Sequence, residues 1–206
     1  MKYLKMLGLA AVAAAALMAF VGAGTASATT LTAPEGTQVP AGTLITAEAE
    51  THVTLHPPFG SITCAKSHVE GKTSNAGSAT ETVKGNISTL SFGECNATVT
   101  VLKAGSLEIH TDPEGQPANG NGILTSSGAE VTVVYLGFHC IFSTNNTNIG
   151  TVTGYTNANT TSKEHATFDI SATIPRTGGS SGAFCGSTAQ WTGAYTITTP
   201  KKLWVD

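Results

Sequence analysis

Ala129-Glu130-Val131-Thr132-Val133-Val134-Tyr135-Leu136-Gly137-Phe138-His139-Cys140-Ile141-Phe142 is the most apolar run downstream of the N-terminal segment. Val131, Val133 and Tyr135 alternate in it with Thr132, Val134 and Leu136. Branched and aromatic side chains pack well on a pleated surface and lose rotamer freedom in a helix, so the run reads as strand. Apolar residues at both parities predict a central strand buried on both faces.

The flanking sequence has the same grain. Thr43 to Leu55 alternates, with Ile45, Ala47 and Ala49 on one side and Val53 and Leu55 shifted on after Glu50, which predicts a bulge or turn there. His56-Pro57-Pro58-Phe59-Gly60 then breaks the strand, because two prolines remove two ladder donors. Ile62 to Glu70, Ala79 to Leu90, Ala97 to Leu102 and Leu107 to His110 follow as strands, with Ser74-Asn75-Ala76-Gly77-Ser78 a turn by composition. Beyond the opening run come Thr151 to Tyr155, Ala166 to Ile174, Ala189 to Thr198 and Leu203 to Val205, while Thr29 to Gln38 reads as an arm or leading strand. The longest loop signal is Asp112-Pro113-Glu114-Gly115-Gln116-Pro117-Ala118-Asn119-Gly120-Asn121-Gly122. No segment carries apolar residues at helical spacing over three turns. About ten short strands joined by polar turns predict an all-β fold, an antiparallel β-sandwich of jelly-roll or Ig-like kind.

Residues 1–28 read as a signal peptide: Lys2 and Lys5, an apolar stretch from Leu7 to Val21, and the small-residue cleavage site Ala26-Ser27-Ala28. The secreted domain is then expected to span residues 29–206, with no lipid-anchor cysteine, no second apolar span, no LPxTG sequence and no twin-arginine pair. The leader removes two lysines and no carboxylate, leaving eight basic and thirteen acidic residues and a net charge of −5. Arg176 is the only arginine, too little to neutralise a run of phosphates, so nucleic acid is rejected as a partner.

Export places Cys64, Cys95, Cys140 and Cys185 in an oxidising compartment, where three pairings are open. Pairing of neighbours, Cys64 with Cys95 and Cys140 with Cys185, closes the loops at least entropic cost and gives each half of the chain one staple. No CxxC or CxxH spacing favours zinc. A loose duplication supports two similar halves: Gly71 and Gly150 follow Cys64 and Cys140, and Gly105 and Gly193 stand ten and eight residues past Cys95 and Cys185.

Sites for chemistry are few. Gly178-Gly179-Ser180-Ser181-Gly182 matches the G-x-S-x-G nucleophile elbow in letters, yet that elbow needs a later histidine, and His165 is the last one. His52 and His56 would lie about 13 Å apart on an ideal strand, too far for one ion. Asp112, Glu114, Asn119 and Asn121 form an oxygen-rich loop that could take calcium, the one cofactor the composition offers, though it lacks the closing bidentate acid of an EF-hand. Glu94, Glu108, Asp112, Glu130 and Asp169 are the carboxylates available for glycoside hydrolysis, and no spacing brings two together. Asn86, Asn96, Asn145 and Asn159 sit in N-x-S/T patterns. Trp191, Tyr195 and Trp204 could stack on sugar rings, although aromatics in a last hairpin more often close a core.

Cys185-Gly186-Ser187-Thr188-Ala189-Gln190-Trp191-Thr192-Gly193-Ala194-Tyr195-Thr196-Ile197-Thr198-Thr199-Pro200, with Leu203-Trp204-Val205, the leader from Met1 to Ala10 and His56-Pro57-Pro58-Phe59-Gly60-Ser61-Ile62, resembles a group of uncharacterised secreted proteins of soil actinobacteria. The resemblance covers most of the chain, implies a bacterial, exported origin that argues against glycosylation, and carries over no activity. The expectation is a non-enzymatic extracellular β-domain with a structural or adhesive role. A carbohydrate- or calcium-binding module is the alternative, and an enzyme built on His110 or His139 with a carboxylate is third. Cell-envelope polysaccharide and self-association through a long apolar strand edge are the candidate partnerships.

Overall fold

Leu136 and Gly137 revise the reading of the opening run. In the computed structural model both have positive φ, 50° and 84°, and they form a two-residue turn between strands β11 (Glu130–Tyr135) and β12 (Phe138–Ser143). The run is therefore a hairpin and not one central strand. Apolar residues occur at both parities because Leu136 stands at the turn, 76% exposed, and Val134 faces outward, 37% exposed. Positive φ at both central residues matches the right-handed twist of the flanking strands, as two-residue hairpins require.

The structure describes residues 29–33, 37–78, 81–110, 121–154, 166–180 and 182–205. The expected leader, residues 1–28, lies outside them, as do Asp112, Glu114, Asn119, Asn159 and His165. The remaining strands are β1 (Thr29–Ala33), β2 (Thr37–Gln38), β3 (Leu44–Ala49), β4 (Val53–His56), β5 (Ile62–Thr73), β6 (Gly77–Ser78), β7 (Val83–Cys95), β8 (Thr98–Lys103), β9 (Ser106–His110), β10 (Asn121–Ser127), β13 (Thr147–Thr153), β14 (Thr167–Gly178), β15 (Thr188–Thr199) and β16 (Trp204–Val205). One helical turn spans Gly182–Cys185.

The fold is all-β, antiparallel and sandwich-like, with both disulfides formed as the cysteine spacing predicts, Cys64–Cys95 and Cys140–Cys185. Its connectivity is sequential. β3 and β4 run end to end, broken at residues 50–52 where the parity shift predicts, and both pair with β5 on one side and β15 on the other. β8 continues into β9, β10 into β11 and β12 into β13, with kinks that use positive φ at Gly105, Gly128 and Asn146. A side chain at Gly105 would place its Cβ 2.4 Å from the Ala129 nitrogen, so that kink needs glycine.

Counted this way, each antiparallel strand lies beside the next along the chain, up and down. β15 closes the ring on β3 and β4, with Ile197 opposite Ala47 and Trp191 opposite Leu55. The result is a barrel-like ring of strands, and the pairing of β15 with β3 and β4 covers the first and last strand edges. None of the crossing connections of a jelly roll occurs among the described strands.

The two halves of the chain share this one barrel, and their staples are not in equivalent places. Cys64 and Cys95 are direct cross-strand partners on β5 and β7, whereas Cys140 on β12 reaches Cys185 in the turn before β15. Both lie at the same end of the barrel. The opposite end is covered by a small sheet in which β1 pairs with β16, β2 and β6, and Leu31, Leu203 and Val205 are fully buried there.

Candidate functional site

Inward-facing side chains do not fill the barrel. A cavity of about 100 Å³ lies between its walls, bordered by Leu90 and Phe92 of β7, Val99 of β8, Leu124 of β10 and Trp191 and Tyr195 of β15. A second cavity of about 50 Å³ lies toward the small sheet, with Leu31 at its end. Val69, Ile87, Leu107 and Phe168 border both, so the two voids are stacked along the barrel.

Among the described residues, buried side-chain polar groups inside the wall are paired apart from Thr167 Oγ1 on β14, which has no partner. The Tyr195 hydroxyl donates to Ser67 Oγ at 2.9 Å, and Ser67 Oγ donates to the Ser91 carbonyl at 2.9 Å. Burial pushes the Tyr195 phenol up to about 12, against a smaller opposing effect of the Ser67 hydrogen bond. Ser126 Oγ and Thr144 Oγ1 pair at 2.9 Å, and Thr144 Oγ1 accepts the Ala129 N–H at 3.1 Å. With these groups occupied by one another, the 100 Å³ cavity is set for apolar contents: a buried water needs two to four partners.

The longest stretch of barrel wall without a ladder lies between β7 and β8; shorter ones lie where β12 gives way to β13 opposite residues 171–175 of β14, and at the break between β3 and β4. β7 pairs on one edge with β5 along its length, and on its other edge with β9 only through residues 83–86. β8 pairs with β11 on its far side. Among the described strands no ladder joins β8 to β7, which leaves a slot. Ile87 N–H donates to the Gly105 carbonyl at 3.0 Å at one end of it. The hairpin turn closes the other, held by Cys64–Cys95 and by Asn96, whose Oδ1 accepts Thr63 N–H at 2.9 Å and whose Nδ2 donates to the Ser61 carbonyl at 3.0 Å.

Most sequence-predicted site residues have other roles in this framework. Tyr195 is 2% exposed inside the barrel, Trp191 faces the cavity, and Trp204 lies in the small sheet at the far end, so the three form no common sugar platform. Of the calcium loop, only Asn121 falls on a described strand, as the first residue of β10. His56 Nδ1 meets Ser61 Oγ at 2.8 Å across the proline turn, while His52 is exposed in the break between β3 and β4. His110 Nε2 meets Thr125 Oγ1 at 3.1 Å, and His139 lies on β12.

The carboxylates are dispersed. Glu94 pairs with Lys66, Glu130 with Lys103 at 3.4 Å, Glu108 accepts the Thr82 hydroxyl, and Asp169 is exposed on β14. In the glycine-serine segment, Gly178 ends an antiparallel strand and Gly179 has φ 107°, with Ser180 exposed. No group of three His, Cys, Asp or Glu residues is placed to hold a metal among the described residues.

One constellation has no signal in the sequence. His68 Nδ1 meets Glu48 Oε1 at 2.6 Å, and both border an outer groove of about 330 Å³ with Lys66, Ser91 and Phe92. Glu48 and His68 are twenty residues apart and become neighbours only through the β3–β5 register. No described helix is long and apolar enough to cross a membrane. No family model, curated protein or solved structure matches the chain.

Proposed function

We propose that the chain is a non-enzymatic extracellular domain, exported behind the leader of residues 1–28, that holds a small apolar molecule inside its barrel. The 100 Å³ cavity carries this reading. Protein interiors leave few voids larger than a water molecule. At roughly 24 cal/mol per Å³ such a void costs about 2.4 kcal/mol when empty. A single larger side chain would remove that cost, and an apolar guest removes it equally well. A void of about 150 Å³ lined by Leu, Ile and Phe takes up benzene in another protein, which sets the scale of the guest. The two disulfides fit the oxidising setting that the reading requires.

Thermal unfolding with and without saturating n-hexane tests the proposal. The melting temperature of the native protein should rise with hexane. Leu124→Phe, which fills the cavity from a fully buried position, should melt higher without hexane and gain nothing from it. A native protein indifferent to hexane would remove the binding half of the reading, and ester, peptide or glycan hydrolysis by clean protein would remove the non-enzymatic half. The adhesive alternative keeps one observation: Leu136 and Phe184, 76% and 60% exposed, stand at the same end of the barrel.

A further inference from the structure

Resting on that reading, we infer that the guest is a single-chain amphiphile, admitted between β7 and β8, with its tail in the stacked cavities and an uncharged hydrogen-bonding head between the strand lips. Three observations carry this. The first is access: Leu90 and Phe92 of one lip and Val99 of the other border the cavity directly. At the disulfide end, by contrast, Phe138 stacks on Phe184 at 4.5 Å and Phe59 lies 6.0 Å from both Tyr135 and Phe138, while Leu31, Leu203 and Val205 occupy the opposite end.

The second is shape. The two voids share four lining residues and run along the barrel, which suits an unbranched tail better than a ring.

The third is the chemistry of the lips. Backbone N–H and C=O groups at a strand edge with no ladder demand partners. Exposed Thr89 and Ser91 on β7 and Thr98 and Thr100 on β8 add hydroxyls beside them. Nearby charges are the ion pairs Lys66 with Glu94 and Lys103 with Glu130, the His68–Glu48 pair opposite Ser91, and the Glu70 carboxylate, which lies opposite Thr89 and accepts from Ser88, so among the described residues the lips offer donors and acceptors but no unpaired lysine or arginine to hold an anionic head. Because both ends of the slot are fixed, it admits a slender molecule and not a complete added strand.

Titration with 1-octanol and with octanoate at neutral pH, followed by backbone amide shifts, tests the inference. Octanol should bind at least tenfold more tightly than octanoate and shift the amides of residues 88–92 and 98–100. Ser91→Trp, at an exposed lip position, should slow octanol association at least tenfold while leaving the melting temperature unchanged. Equal binding of octanoate would overturn the uncharged head. Shifts confined to the region of Leu31 and Leu203, or unchanged association in Ser91→Trp, would overturn the route. Hexane binding without octanol binding would overturn the amphiphile and leave the apolar-guest reading standing; binding of neither would take down both.

Discussion

The two ends of the barrel are closed by opposite means. At one end, loops far apart in sequence are joined covalently and by aromatic contacts: Cys64 to Cys95, Cys140 to Cys185, and the chain of rings from Tyr135 through Phe59 and Phe138 to Phe184. At the other, residues from the two extremes of the described chain meet as β1 and β16, and burial of Leu31, Leu203 and Val205 does the work. The first closure acts largely by restricting the unfolded chain, the second by removing apolar surface from water. The contrast teaches that the cavity between them is held open by a frame whose two ends fail under different conditions.

The largest effect should come from the stapled end. The disulfides close loops of 31 and 45 residues. Replacing either pair by alanine should lower the unfolding free energy by about 3.5 to 4 kcal/mol on the chain-entropy account, measured by urea denaturation. At the plugged end, Leu203→Ala should cost about 3 kcal/mol, the middle of the range for a fully buried leucine. Reductant should lower the stability of Leu203→Ala and of the native protein by equal amounts, since distant sites add within about 0.5 kcal/mol. Coupling larger than that would mean that the two closures are one.

Between the ends, the Tyr195 phenol gives a pH signature. Its pKa in the folded state is raised to about 12 from an ordinary 10.0, so the native protein keeps a proton that the unfolded chain releases. The stabilisation is complete below pH 10 and is lost as pH rises toward 12, at about 1.4 kcal/mol per pH unit within that window. Tyr195→Phe should cost about 1 kcal/mol at pH 8 and flatten the alkaline decline seen in pH-dependent denaturation.

The smallest effect belongs to the β11–β12 turn at the stapled end. Leu136→Asn should raise stability by about 0.5 kcal/mol, because asparagine tolerates positive φ better than leucine. A fall would show that the exposed Leu136 side chain contributes packing to the aromatic end.

Much of this architecture is legible in the residues. The parity shift at Glu50 marks the break between β3 and β4, the prolines at 57 and 58 mark a strand end, and loop-closure entropy selects the observed cysteine pairs. Other features are not local properties. β10 has only Ile123 and Leu124 among seven residues, so its strand character comes from ladders to β9 and β13 rather than from its own composition. The hairpin within residues 129–142 hides because a leucine occupies a position where asparagine or glycine would signal a turn. Closure of β15 on β3 and β4 depends on contacts some 150 residues apart, shown by Thr196 meeting Glu50 and Thr198 meeting Thr46. The cavity is the least legible feature of all, since its lining residues read as an ordinary core and only their spacing in the barrel-like ring leaves a void.

Diffraction from crystals held under xenon pressure tests the account most directly. Xenon is apolar, carries no hydrogen-bonding group and reports only on space. The account predicts an ordered xenon atom between Leu90, Val99, Leu124 and Trp191, absent from Leu124→Phe crystals. Solvent density with hydrogen-bonding geometry there, or side chains collapsed into the space with no xenon, would contradict it.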